Sequence, residues 1–263
     1  MCGIAGYSFD RASKIDRTLA AQALLAGIAE RGADAVGYAH RGGDDTTSVH
    51  KQRSGASALL DRISVPREAT QALIHVRDYT KGHPKIEANN HPVRHGAVKG
   101  VHNGIIANDE EIFAAHGFSR HSPEMTVDTE AIFALVDELG PCKKALEQLR
   151  GSMATAWFDD RDPDTVYIAR GAGRPLWLGE AKREAFFAST KAALEVVERY
   201  LDVKLRKREL PEGILVPIVD GQRQKALRFK PDHAFEETPL PAVRAPHEGA
   251  TCLRRLAVIA AAV

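Results

Sequence analysis

Cysteine is scarce in this chain, with three in 263 residues at positions 2, 142 and 252. They form no CxxC pair and are odd in number, which excludes a disulfide framework and a cysteine-rich zinc site and points to a reducing, cytoplasmic setting. Neither sign of charge is in excess: 36 Lys and Arg face 35 Asp and Glu, for a net charge of +1. With no global field to attract a polyanion, neither nucleic acid nor an anionic membrane is an expected partner. Long apolar runs are missing too. The stretch after Arg255, "LAVIAAAV", has about eight residues where a membrane-spanning helix needs about 20, so it reads as a tail that packs, frays or touches a partner. The first residues show no basic segment leading into an apolar one, so no secretory leader is expected. There is no GxxxxGK[ST] phosphate cradle, no internal repeat and no low-complexity tract. No metal or cofactor is expected.

What is present is an ordinary globular composition, 44% hydrophobic and 27% charged, in a chain long enough to bury roughly 70% of its unfolded surface. "CGIAGYSF" reads as a first strand, and "KIDRTLAAQALLAGIAERG" repeats apolar residues at helical spacing until Gly32 stops it. "AVGYAHR" and "TSVHKQ" form a strand pair through the turn "GGDD", and "QALIHVR" and "AVKGVHNG" are two more short strands. Between these last two lies a long polar loop with "KGHPKIEANNHP", of a length that in a compact domain is usually functional or mobile. Helical patterns follow in "NDEEIFAAHG", "TVDTEAIFALVDELG" and "PCKKALEQLRG", where Asp109 to Glu111 suit a helix start and Pro141 a first turn. Strands return in "SMATAWFDD", "DTVYIAR", "PLWLGE" and "EAFFAST", then a helix "KAALEVVERY". In "GILVPIVDGQRQKALRF", Asp220 and Gly221 are a strong hairpin turn. Strands, helices, then strands again predict an α+β architecture with two largely antiparallel sheets rather than an alternating α/β fold. The expected partition is a domain over residues 1–230 and a Pro/Ala-rich, linker-like tail over 231–263.

Cys2 stands directly behind Met1. Once the methionine is removed, the residue carries both a strong thiol nucleophile and a free α-amine with a pKa of about 7.7 to 8.0. An amine titrating near cellular pH is an efficient general base, so nucleophile and base can reside in one residue. Taken alone, Cys2 could equally be a small buried hydrophobe in an edge strand.

The chain "MCGIAGYSF", "ERGADAVGYA", "HVRDYTKG", "NNHPV", "VHNGIIAN" and "VDTEAI", six motifs in order over about residues 2 to 200, resembles the class II glutamine amidotransferases. Within that class "RGADAVGYA" and "HNGII" are nearest the glutaminase halves of glucosamine-6-phosphate synthase and of the phosphoribosylamine-forming amidotransferase. The resemblance implies the four-layer αββα sandwich of the N-terminal nucleophile hydrolases, with Cys2 as nucleophile and the Asn103 side-chain amide and Gly104 N–H as oxyanion donors. It implies Arg77 on the glutamine α-carboxylate, a fork that lysine would not reproduce, with Thr80 beside it and Asp128 on the α-ammonium. Arg31 and His91 take supporting roles, Arg31 by ordering the nucleophile region and His91 within the loop formed with Asn90 and Pro92.

Two departures stand out. Asp78 and Tyr79 follow Arg77 where the sugar-forming synthases carry a gating tryptophan, Lys81 replaces a histidine, and Val127 precedes Asp128 where threonine is usual. No acceptor-binding domain is recognisable after the glutaminase motifs, so the expected activity is that of a stand-alone glutaminase subunit. It would hydrolyse glutamine through a Cys2 γ-glutamyl thioester and pass ammonia to a synthase on a separate chain. The alternatives are a hydrolase of other γ-glutamyl amides, admitted by the altered "DYTK" loop, and a catalytically silent binding scaffold.

Overall fold

The computed structural model describes residues 2–42, 46–237 and 241–262, so the turn expected at "GGDD" falls largely outside the described residues. In chain order the first half comprises β1 (Gly3–Phe9), α1 (Arg17–Ile28), β2 (Ala35–Arg41), β3 (Thr47–Gln52), β4 (Gln71–Arg77), β5 (Val93–His95), β6 (Val98–Ile106), α2 (Asp109–His116), α3 (Glu130–Leu139) and α4 (Lys143–Leu146). The second half comprises β7 (Gly151–Asp159), β8 (Asp162–Arg170), β9 (Trp177–Glu180), β10 (Glu184–Ala188), α5 (Lys191–Leu201), β11 (Arg206–Glu209), β12 (Ile214–Val219), β13 (Gln222–Arg223), β14 (Leu227–Arg228) and α6 (Pro246–Ala260).

The strands form two sheets, ordered β11-β9-β10-β1-β4-β2-β3 and β13-β12-β8-β7-β6-β5, with β14 also on β12. All the ladders are antiparallel; one isolated parallel bridge joins Ser152 to Ala172. Strand side chains alternate between faces, and here both faces are apolar. In β1, Ile4 points between the sheets while Ala5, Tyr7 and Phe9 point to the helices; in β7, Ala154, Ala156 and Phe158 lie between the sheets while Met153 and Trp157 face outward. One outer layer packs α1, α5 and α6 on Tyr7, Phe9 and Phe186, and the other packs α2, α3 and α4 on Met153 and Trp157. This is the expected α+β, αββα sandwich.

Local chemistry explains the ends of these elements. Asp16 caps α1 by accepting from Leu19 N at 2.7 Å, and Thr190 caps α5 by accepting from Ala193 N at 3.2 Å, each an arrangement worth about 1 kcal/mol. Asp220 and Gly221 take φ of 46° and 72° between β12 and β13, the left-handed pair a two-residue hairpin requires. Two expectations fail. Pro141 precedes the helix rather than starting it, because α4 begins at Lys143 behind Cys142 and spans four residues. And residues 246–260, expected to lie in a linker-like tail, form α6, in which Cys252 and Leu256 are fully buried against α1. Glu30 O accepts from Arg244 N and Ala245 N, and Glu248 accepts from Ser57 N at 2.7 Å, which fixes the start of α6. Among the described residues no helix is long and apolar enough to cross a membrane.

Candidate active site

Three strands and one helix start converge at one end of the sandwich. β1 and β4 pair with Gly3 opposite Val76, so Cys2, just before β1, falls beside Arg77 at the end of β4. From the second sheet β6 contributes Asn103 and Gly104, and His75 Nε2 lies 3.2 Å from His102 O, tying β4 to β6 between the layers. Asp128 stands at the entrance to α3.

Cys2 is half-buried. Arg31, 3% exposed, donates from Nε to Cys2 O at 2.8 Å, and Cys2 Sγ donates to Asp78 O at 3.4 Å. Burial pushes the Cys2 thiol up, and the Arg77 charge works against it. The thiol is therefore held protonated until a base removes its proton.

Arg77 and Asp128 are both buried, at 2% and 3% exposure. Arg77 Nη1 donates to Asn90 Oδ1 at 2.6 Å and Nη2 to Lys81 O at 2.9 Å and to Gly82 O, all neutral partners. Asp128 Oδ2 accepts from Ile106 N at 2.7 Å. Neither residue has an ion-pair partner within 4.0 Å among the described residues, although Asp128 is near enough to Arg77 to raise its pKa against the lowering caused by burial. Burial pushes Asp128 up to about 6. Lys81 lowers it through space only, because its Nζ binds both Asp109 oxygens at 2.7 Å.

Asn103 is 1% exposed, and its Nδ2 is buried without a hydrogen-bond partner. A buried unpaired donor costs about 1 to 3 kcal/mol, so such a group in a native site calls for a function. Gly104 has φ +150°, and a Cβ there would stand 2.0 Å from Ser152 O. Only glycine fits there.

Thr80 lies exposed beyond Asp78, outside these contacts. His91 is buried, stacked on His75 with ring centroids 4.0 Å apart. Its Nε2 lies 3.1 Å from Thr129 Oγ1, which is also 3.0 Å from His102 Nδ1. The hydroxyl thus links the loop carrying His91, the strand carrying Asn103 and the helix behind Asp128. Burial holds all three imidazoles below their ordinary value, His102 down to about 3, so they are neutral at cellular pH. Sequence reasoning missed Thr129, His75 and His102; only their adjacency to Asp128, Arg77 and Asn103 hinted at them. Among the described residues, no three His, Cys, Asp or Glu side chains converge as a metal-binding group.

A family model described as a glutamine amidotransferase domain matches residues 80–196. The glutamine–fructose-6-phosphate aminotransferase (isomerizing) of Escherichia coli O6:H1 is 35% identical over 215 residues, which is 76% of this chain and 33% of that protein. The protein of the same name from Shouchella clausii is 30% identical over 217 residues, 77% of this chain and 34% of its own length. The chain therefore spans about a third of the length of these relatives. Among solved structures, the glutamine phosphoribosylpyrophosphate amidotransferase from B. subtilis, complexed with ADP and GMP, superposes with a TM-score of 0.67 at 20% identity, over 86% of this chain and 49% of that one.

Proposed function

We propose that this chain, which carries a class II glutamine amidotransferase domain of the N-terminal nucleophile type, hydrolyses the side-chain amide of glutamine through Cys2. The observation that carries the reading is the pair of buried charges Arg77 and Asp128, of opposite sign, neither with an ion-pair partner within 4.0 Å among the described residues, and Arg77 beside a half-buried thiol. A buried charge without a counter-ion is costly. The zwitterionic α-carbon end of glutamine supplies both counter-ions at once, its carboxylate to Arg77 and its ammonium to Asp128.

With that end fixed, the side-chain carbonyl reaches the thiol. After Met1 is removed, the Cys2 α-amine accepts the thiol proton as Sγ bonds to the amide carbon. The carbonyl oxygen becomes an oxyanion held by Asn103 Nδ2 and Gly104 N–H, a pair of the kind that lowers barriers by about 2.7 to 4 kcal/mol per donor. The C–N bond breaks, nitrogen takes the proton and leaves as ammonia, and a γ-glutamyl thioester remains. Water, deprotonated by the same amine, attacks the thioester carbon, expels the thiolate and releases glutamate. Ammonia then passes to an acceptor-binding unit outside these 263 residues.

The test is glutamate release from glutamine by the processed chain, beside Cys2→Ala and a panel of other γ-glutamyl amides. Glutamine as the best substrate and no turnover in Cys2→Ala are expected. Unchanged turnover in Cys2→Ala would sink the mechanism, and preference for another amide would transfer the same chemistry to that substrate.

A further inference from the structure

The end of the sandwich away from Cys2 holds a second cavity, of about 480 Å³. Thr70, one residue before β4, lines it, and Arg77, the last residue of β4, belongs to the first site. Seven extended residues at about 3.3 Å each separate the two by about 23 Å. Two arginines form the floor of the second cavity, Arg17 at 4% and Arg41 at 2% exposure. Arg41 donates to the carbonyls of Asp159 at 2.9 Å and Asp162 at 3.0 Å. Arg17 Nη1 donates to the carbonyls of Ser13 at 3.1 Å and Ile15, its guanidinium lies 5.2 Å over the Phe9 ring, and its Nε is buried without a partner. Among the described residues no carboxylate forms an ion pair with Arg17.

The rim adds Arg11 and Arg67, both exposed, and three exposed carboxylates, among them Glu68 and Asp220. Neither rim arginine is paired with a carboxylate among the described residues; burial disfavours a charged Arg17 and Arg67 adds repulsion, while Tyr7, Asp16 and Glu184 act the other way through space. A buried guanidinium whose direct contacts are carbonyls and a ring, with Asp16 and Glu184 acting on it only from beyond ion-pair distance, leaves the contact position of a counter-ion open. Its fork geometry matches carboxylate or phosphate. The volume lies within the range of small-molecule sites and exceeds what a bare oxyanion fills. Carboxylates on the rim repel a second anionic group but accept from hydroxyls.

We propose that this cavity binds a small phosphate monoester, its phosphoryl group on Arg17 between Arg11 and Arg67 and its hydroxyl-bearing end against the acidic rim. The test is titration calorimetry of the full chain at constant ionic strength with glycerol 3-phosphate, inorganic phosphate and glycerol. Carrying it out on Cys2→Ala makes the outcome independent of whether the first site turns over glutamine. Saturable binding of the monoester is expected, weaker for inorganic phosphate and absent for glycerol. Loss of one charge-assisted contact should raise Kd about tenfold or more in Arg67→Ala and in Arg17→Gln, with Lys14→Ala, outside the cavity, unchanged. Arg67 is exposed, so its variant tests the site even if Arg17→Gln does not fold. Equal affinity for inorganic phosphate would overturn the assignment to an ester. No saturable binding of either phosphate, or an unchanged Kd in Arg67→Ala, would overturn the site itself.

Discussion

Replacing Asp128 by asparagine should strengthen the fold at neutral pH and weaken glutamine binding. The carboxyl is 3% exposed, and burial lifts its pKa from 3.8 to about 6. Because the folded value lies above the unfolded one, the native state keeps a proton that the unfolded state has released between about pH 4 and 6. The stability tied to this group is therefore complete below about pH 4 and is lost as pH rises through about 6. At 1.36 kcal/mol per unit, a shift of about two units means that ionised Asp128 costs the fold about 3 kcal/mol at pH 7. Asparagine keeps an acceptor for Ile106 N and carries no charge. Urea unfolding of both proteins should show the variant's stability advantage growing by about 2 kcal/mol from about pH 4.5 to pH 7. Parallel stability curves would refute the burial argument. In the same variant, loss of the contact to the α-ammonium should raise KM for glutamine at least about tenfold, and a wild-type KM would refute that role.

Asn103→Ala should lower kcat by about 10² to 10³ with KM changed little, because the donor acts on charge that exists only in the transition state; steady-state kinetics separate this from a binding defect, which would appear in KM. Leu256→Ala, fully buried in α6, should cost about 2 to 5 kcal/mol, while Val258→Ala, 72% exposed, should cost almost nothing by denaturant unfolding. The three neutral imidazoles have folded values below the unfolded one, so their stability is present above about pH 6.5 and is lost as pH falls toward the folded values. His91→Gln should accordingly reduce the acid slope of stability just below about pH 6.5 by up to about 1.4 kcal/mol per pH unit, one proton's worth; an unchanged slope would mean that His91 is charged in the native state.

The parts of this fold legible in the sequence are those set by neighbours along the chain. Asp220-Gly221 declared its turn because two successive left-handed residues suit few other pairs, and the succession of strands, helices and strands sufficed for two sheets under separate helical layers. What stayed hidden depends on approach from far away. Gly249, Cys252 and Leu256 sit at helical spacing, but the Pro- and Ala-rich run before them masked it, and the surface they cover is supplied by Glu30 and α1, more than 200 residues earlier. Thr129 likewise looks like an ordinary residue after an acid. Its hydroxyl matters only because β6 and the loop before Pro92 each bring an imidazole to it. Cys2, Arg77, Asn103, Gly104 and Asp128 were singled out through motif order, which spacing along the chain preserves; the burial of Arg77 and Asp128 without ion-pair partners was not visible there.

On the proposed function, that burial also links glutamine reading to the loop after β4. The terminal nitrogens of Arg77 that would meet a carboxylate are the ones that hold Lys81 O, Gly82 O and Asn90. Lys81 in turn grips Asp109, and Arg120 joins Asp109 at 3.1 Å to Glu130, in the first turn of α3, at 3.2 Å. The loop is thus fastened at one end to the guanidinium and at the other to the helix that follows Asp128. Asp109 raises the pKa of Asp128 and Lys81 lowers it, so Lys81 screens one acid from the other. A carboxylate arriving at Arg77 competes with the loop carbonyls for the same hydrogens, while an ammonium arriving at Asp128 relieves the charge that Lys81 screens from a distance. On the proposed function, loop order and recognition of the two ends of the amino acid are therefore one electrostatic problem shared by Arg77, Lys81, Asp109 and Asp128.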